Sequence, residues 1–530
     1  MKVLMEFSTI NYKMWHSVAK RLNELYPGST FAIILGAHGN EAWKYLTGQK
    51  DVKYEFILSN QEIQEEAFRS EVDFDELKKF EESLPYKSLW RVIAADRNLG
   101  NKFMHGTIWC NSFVDPNISQ ENIFKVFSGL LKKYRSIFDD FQPTLFLPAI
   151  CMGNISVFIY EQLCKERNIP YIAPTSVRIK DIFAFAGDAQ LRFPQIEDTY
   201  QQIYEGKLDI ELSSAEKLYE EIIGELEDPQ YFDRNHSFFN IKKLNSFWYK
   251  VRFILSIVKN ILGELWRWSS CKIHRKTIYK YSHTFRMLLK NISYRIHQKY
   301  QNFQLLNPSF VKPLNLNQRY IYYPLHINPE YSTQIQGTMW IDQVCLIEIL
   351  AKSIPFDWKV YVKEHPAMLV CSARPFDFYK QIQRFPNVRL IPIDADMHQL
   401  ISNAEMVAVI TGTSGWEAIQ RGKFVITFAD NLYDVLDLSR RCASVDTLSE
   451  DIYSELQRMK HISTAERKRR LVCFLAAVLF HGFKISYPQQ FCYSKKGTDE
   501  EYELIGRETA DALKRHIEYL QINKSYKLVC

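Results

Sequence analysis

Between Tyr320 and Phe428 the chain alternates short apolar runs with amphipathic stretches, and this rhythm constrains its fold more than any other feature. The runs fall at Tyr320–Tyr323, Trp358–Lys363, Val388–Ile391, Met406–Ile410 and Phe424–Phe428. Strands buried on both faces read as near-continuous apolar runs, and helices between them imply a parallel α/β sheet. The first third repeats the rhythm. Strands are predicted at Lys2–Phe7, Phe31–Gly36, Thr144–Ala149 and Ile169–Ala173, with helices at Trp15–Leu25 and about Ile155–Arg167. A chain of 530 residues with 46% apolar content exceeds one core, so the two patterns are read as two domains. Four segments follow: a parallel α/β domain over 1–205, a basic helical insertion over 206–313, a second α/β domain over 314–444 and a helical tail over 445–530.

Three polar clusters leave predicted strand ends in the second domain, where ligands sit in open α/β sheets. The first is Lys363-Glu364-His365-Pro366. Proline stops the strand, and His365 could donate to a phosphate or protonate a departing oxygen. The same His-Pro also fits a turn histidine satisfied by backbone. The second cluster is Thr411-Gly412-Thr413-Ser414-Gly415-Trp416-Glu417. Its glycines allow close backbone approach, and hydroxyls and N–H groups at a helix start bind phosphate oxygens. Glu417 could accept from a ribose hydroxyl. Ser414 and Glu417 equally have the S-x-x-E spacing of a helix capping box. The third cluster, Pro324 to Thr333, offers His326 and Glu330, with hydroxyls at Ser332 and Thr333. Three clusters on three strand ends of one sheet should converge on one crevice.

The ten cysteines include no CxxC pair, so neither a zinc site nor a disulfide framework is indicated. They read as small buried hydrophobes in a reducing compartment. Glu6 interrupts the N-terminal apolar run before it reaches the length of a signal peptide, and no transmembrane helix is predicted. Net charge is +6, yet residues 241–300 hold 14 Lys/Arg against one acid, Glu264. Apolar residues there recur at helical spacing over Phe247–Trp268, among interleaved aromatics. The block reads as a solvated helical linker, as a surface for an anionic membrane, or as part of a non-catalytic membrane- or nucleic-acid-binding scaffold.

YPLHINPEYST, Asp342-Gln343, YVKEHP, TGTSGWEAIQRGKFVITF and ADNLYD, in this order over 320–433, resemble the bacterial capsule and surface-polysaccharide biosynthesis glycosyltransferases. Those are GT-B-type enzymes, many related to transferases of CMP-activated sugars. The resemblance implies two Rossmann-like domains facing a cleft, the first binding acceptor and the second nucleotide-sugar. It implies that His365 and Ser414 with its neighbours contact the nucleotide phosphate, and that Glu417 lies near the ribose. The nucleotide-sugar set is then His326, Glu330, Lys363, Glu364, Pro366, Thr411, Gly412, Thr413, Ser414, Gly415 and Glu417. The catalytic carboxylate is expected from the first domain, with Glu41 and Asp96 as candidates beside His365. A buried Asp96-Arg97 structural pair is the alternative there. No metal and no cofactor are implied. The partners implied are a nucleotide-sugar donor and a glycan or lipid-linked acceptor, with no nucleic acid, in the cytoplasm or at the inner face of its membrane. Transfer of an alcohol phosphate from a CDP-linked donor and sugar-nucleotide epimerisation are the alternatives on the same fold.

Overall fold

The computed structural model describes residues 1–8, 11–36, 40–100, 103, 118–148, 154–227, 255, 258–259, 262–263, 285–307, 310–488 and 497–522. Contacts divide the chain into two compact units. Unit 1 is Met1–Ile93, Ile118–Ile210 and Ala476–Cys530; unit 2 is Ala94–Asn117 and Glu211–Leu475.

Unit 1 is built on β1 (Lys2–Phe7), β2 (Thr30–Leu35), β3 (Tyr54–Ser59) and β4 (Leu145–Leu147). They form one sheet in the order β3-β2-β1-β4, and every pairing is parallel. Val3, Met5 and Phe7 alternate onto one face, where they join a core with Trp15, Val18 and Leu22 of the helix Tyr12–Leu25. Leu4 and Glu6 point to the other face by the same alternation. The strand expected at Ile169–Ala173 is displaced: Tyr171 makes only an isolated bridge to Phe146, and β5 runs Ala173–Ser176. Pro170 has no N–H to offer a longer ladder. β5 then turns back antiparallel with β6 (Ile182–Ala186).

Unit 2 holds a six-stranded sheet of β7 (Tyr320–Pro324), β8 (Lys359–Lys363), β9 (Val388–Leu390), β10 (Met406–Val409), β11 (Phe424–Thr427) and β12 (Ser439–Arg441). Its order is β12-β11-β10-β7-β8-β9, parallel throughout. The five strands read from the sequence are all present, each within two residues of its expected ends. Their burial explains why: β10 and β11 have no exposed position, as apolar runs without alternation require.

The residues expected as a helical tail divide between the units. Helix Leu448–Lys460 lies in unit 2, whereas β13 (Phe483–Lys484) pairs with β6 and helix Asp499–Ile522 packs on Tyr12–Leu25, all within unit 1. Tyr502, Ile505, Ala510, Leu513 and Ile517 enter the unit 1 core at helical spacing. Gly506 makes this possible, because a Cβ there would stand 2.4 Å from Ser17 Cβ. Of the basic insertion, helices Ser213–Glu227 and Phe285–Leu305 are present. The stripe read over Phe247–Trp268 lies outside the described residues except Leu255, Val258, Lys259, Leu262 and Gly263, which are helical. Among the described residues no helix is long and apolar enough to cross a membrane.

Candidate nucleotide site

In unit 2 the chain runs outward from β7 through β8 to β9, then returns to β10 on the other side of β7. Connections therefore leave β7 and β10 in opposite directions and open a crevice at their carboxyl ends, the usual ligand position in such sheets. His326 follows β7 and Thr411 follows β10, and they meet there. The His326 Nε2 is in hydrogen-bond contact with the Thr411 carbonyl and lies 3.3 Å from the Thr411 N–H. Gln343 clasps the backbone of His326, accepting from its N–H at 2.8 Å and donating to its carbonyl at 3.1 Å. Asp342 beside it caps the helix Gln343–Ser353 through the N–H groups of Val344 and Cys345. The Asp-Gln pair thus sets the helix start and the β7 loop together.

The KEHP cluster divides by burial. Glu364 is 1% exposed and lies in an ion pair with the Arg374 guanidinium, whose Nε and Nη2 donate at 2.9 and 3.0 Å. Tyr379 Oη and the His365 N–H also donate to it, at 2.7 and 2.8 Å. These bonds engage both carboxylate oxygens, so Glu364 braces the turn from beneath. His365 is exposed. Its Nδ1 accepts from the Ala367 N–H at 3.1 Å, which places the proton of the neutral ring on Nε2. Pro366 is half-buried, and its carbonyl accepts from Leu369 to close the turn. Lys363 is 3% exposed, and its carbonyl accepts from the Leu325 N–H at 2.8 Å. Burial pushes its ammonium down to about 8, against the pull of Asp394 and Asp396.

The TGTSG loop starts its helix differently from the capping-box expectation. Helix Thr413–Gln420 is capped by Gly412 at φ 127°, with no side-chain cap bond. That φ suits glycine, and it moves the helix start earlier than a Ser414 cap would. Ser414 is then the second helical residue, its Oγ 3.7 Å from Met397 Sδ, and Glu417 the fifth. The first-turn N–H groups of Thr413, Ser414 and Gly415 carry the positive end of the helix dipole. Gly415 is required, since a Cβ would stand 2.2 Å from Tyr433 Oη. Thr411 is 1% exposed, and its hydroxyl has no partner among the described residues. Thr413 is exposed at the loop tip.

Glu417 is folded inward instead of capping. Burial pushes its carboxyl up to about 7, eased by Arg421. Its Oε2 accepts no hydrogen bond among the described residues and lies 3.7 Å from His398 Nδ1, which Arg421 Nη2 contacts at 3.0 Å. His398 and Arg421 were not singled out in the sequence; no local motif marks them, because they reach Glu417 from another helix and from a turn further on. Glu330 accepts from Ser332 Oγ at 2.6 Å and holds its own loop.

Of the carboxylates expected outside this domain, Glu41 is exposed on the helix Asn40–Thr47 and accepts from Tyr12 Oη at 3.2 Å. Asp96 groups with unit 2 and caps a turn, its Oδ1 accepting from the N–H groups of Asn98 and Leu99 at 2.7 and 2.9 Å. A third carboxylate is Glu6, which the sequence shows only as a break in the N-terminal apolar run. It sits at the carboxyl end of β1, one residue past the last β1–β4 pairing, at the point where the unit 1 chain also reverses direction. Burial pushes its carboxyl up to about 8, eased by a hydrogen bond from Asn60 Nδ2 at 2.8 Å. The signal was present, as one acid within the apolar strand KVLMEF.

Residues 268–469 match the family described as "Capsule polysaccharide biosynthesis protein". No curated protein sequence matches the chain. Among solved structures, the chain is similar to a β-Kdo 2,7 transferase, KpsC of Thermosulfurimonas dismutans, at 11% identity and a TM-score of 0.34, over 73% of this chain and 89% of that one. The β-Kdo 2,4 transferase of the same protein matches at 13% and 0.32, over 65% and 82%. The UDP-GlcNAc 2-epimerase of Neisseria meningitidis, bound to UDP-GlcNAc, matches at 11% and 0.24, over 91% and 100%.

Proposed function

We propose that this chain, whose residues 268–469 are of the capsule polysaccharide biosynthesis family, is a glycosyltransferase that moves a sugar from a nucleotide-activated donor to a glycan or lipid-linked acceptor. The observation that carries the donor site is the β7–β10 crevice. A helix N-terminus free of any side-chain cap follows β10, and the ring proton of exposed His365 and the buried Lys363 ammonium stand at the end of β8, on the other side of β7. Such a set suits phosphate oxygens. As the bond from the sugar anomeric carbon to the phosphate oxygen breaks, the oxygen keeps the electron pair. The helix N–H groups and Lys363 offset the added charge, and His365 donates from Nε2. Glu417, its carboxyl pushed up to about 7 and its Oε2 without a hydrogen bond among the described residues, is the group for a ribose hydroxyl. The resemblance favours CMP as the carrier, and a cytoplasmic site of action. Glu6, in unit 1, is the carboxyl to test before Glu41 and Asp96.

Thermal shifts with CMP, CDP, UDP and GDP identify the carrier, since a ligand bound only by the folded chain raises its Tm. His365→Ala should then lower transfer about 10²–10⁴-fold, while its Tm in the absence of nucleotide stays at the wild-type value. Full activity in that variant, or no shift with any nucleotide, would overturn the donor site.

A further inference from the structure

Helix Phe285–Leu305 is amphipathic in the inverted sense. Its buried face is polar: Gln301 Nε2 donates to the Met368 carbonyl at 2.8 Å, Asn302 Nδ2 to Leu369 at 3.1 Å and Gln298 Nε2 to Ser372 at 3.4 Å. Gln301 Oε1 also accepts from the Arg374 N–H at 2.7 Å. The helix therefore spends its amides on holding the segment that follows His365-Pro366. Tyr294 and Leu305 are buried beside them, while four other apolar residues face out. Leu289, Ile296, Tyr300 and Phe303 are exposed, Phe303 by 65%. At 3.6 residues per turn these four fall within a strip about 60° wide and ~21 Å long. Phe376, also exposed, widens the strip by packing edge-on against Tyr300 at 5.1 Å.

A second strip lies in the same stretch of sequence. Leu255, Val258 and Leu262 are helical, at i, i+3 and i+7, and each is at least half exposed. Two outward apolar strips are more than scattered surface residues. What covers them is indicated by charge. Residues 241–300 carry 14 Lys/Arg against the single acid Glu264; of these Lys259 is exposed, and Arg295 and Lys299 are half-buried on the helix of the longer strip. Apolar residues flanked by cations, without a span long enough to cross a bilayer among the described residues, have the chemistry of a helix lying in an anionic lipid surface.

We infer that unit 2 docks on an anionic membrane through the exposed side chains of the helix Phe285–Leu305 together with Leu255, Val258 and Leu262, with Phe303, Ile296 and Leu262 inserted among the lipids. The inference is independent of the nucleotide chosen and of the transfer reaction. It would hold the loop after His365 at the bilayer through Gln298, Gln301 and Asn302.

Flotation of the full chain with vesicles of phosphatidylglycerol and phosphatidylcholine, against phosphatidylcholine alone, tests it. The expected result is binding to the anionic vesicles only, weakened by salt. The pair Ile296→Glu and Phe303→Glu should cut the bound fraction at least about tenfold while the Tm and the nucleotide-induced shift remain. Should that pair fold poorly, Phe303→Trp gives a second reading. The emission it adds over wild type should move to the blue with anionic vesicles and be quenched by lipids brominated on the acyl chain. No flotation of wild type, an unaltered bound fraction in the folded Glu pair, or added emission from Phe303→Trp that stays unquenched would each overturn the inference. So would a wild-type dimer that the Glu pair turns into a monomer, which would assign the strips to a second copy. Retention on an oligonucleotide with no binding to vesicles would do the same.

Discussion

Both sheets bury a glutamate at the carboxyl edge of an inner strand, and the two sites treat it in opposite ways. Glu364, just after β8, is 1% exposed; Glu6, in β1, is 6% exposed. Glu364 has an Arg374 fork, a tyrosine hydroxyl and a backbone N–H. Glu6 has no cation partner among the described residues. Its one donor there is Asn60, whose Oδ1 in turn accepts from Tyr134 Oη at 2.5 Å, and Tyr134 Oη lies 2.9 Å from Ser156 Oγ. A buried acid with an arginine is held as an ion pair, whereas one offered only neutral dipoles is driven to its protonated form. The first is a brace under the donor crevice. The second is an acid that burial pushes toward its neutral form, at the reversal point of the other sheet.

The largest test of this contrast is Arg374→Met. It would leave Glu364 buried without its counter-ion and should cost about 3–5 kcal/mol in denaturant unfolding. A loss below ~1 kcal/mol would mean that the two glutamates are held alike after all.

Next is Glu6→Gln, whose effect depends on pH. The carboxyl titrates near 4.5 when unfolded and at about 8 when folded, so the folded chain binds the extra proton between them. Its contribution is complete below pH ~4.5 and is lost as pH rises through ~8. Glutamine cannot ionise. The variant should match wild type near pH 5 and exceed it by on the order of 2–4 kcal/mol at pH 9. Parallel unfolding curves at the two pH values check this, and equal stability differences at both would remove the neutral-acid account.

The smallest effect sharpens the comparison from the other side. Every link of the Glu6 chain named above is bonded, but the Thr411 hydroxyl in the donor crevice is buried and bonded to nothing among the described residues. Thr411→Val should change stability by less than about 1 kcal/mol, in either direction, because no hydrogen bond is lost. If the hydroxyl is kept for a ligand, the same variant should weaken the nucleotide-induced rise in Tm. An unchanged rise would make it a packing group.

How much of this was legible in advance follows from which interactions are local. The strands of the second domain were read within two residues, because continuous apolar runs and the helices between them are patterns within a dozen residues. The three clusters around His326, His365 and Ser414 are legible as loops leaving three strand ends of one sheet for the same reason. The capping box was misplaced, since Gly412 and Ser414 are both acceptable caps and only the backbone at φ 127° decides between them. Glu364 was grouped with ligand-binding residues because its neighbours in sequence are polar. Its partners Arg374 and Tyr379 lie 10 and 15 residues on, and no spacing rule links them.

By itself, then, the sequence determined the α/β class, the strands of unit 2, the loops that leave them and the excess of cations over 241–300, all set by residue type within short windows. Tertiary structure decided which side of β7 receives β10, and hence where the crevice opens. It also placed the last helix, Asp499–Ile522, on the first, Tyr12–Leu25, and turned Gln298, Gln301 and Asn302 inward so that Ile296 and Phe303 face out. The physical reason is common to all three. Burial and hydrogen-bond satisfaction are properties of surfaces brought together from distant parts of the chain, and an amide or a phenyl ring carries no record of which surface it will meet.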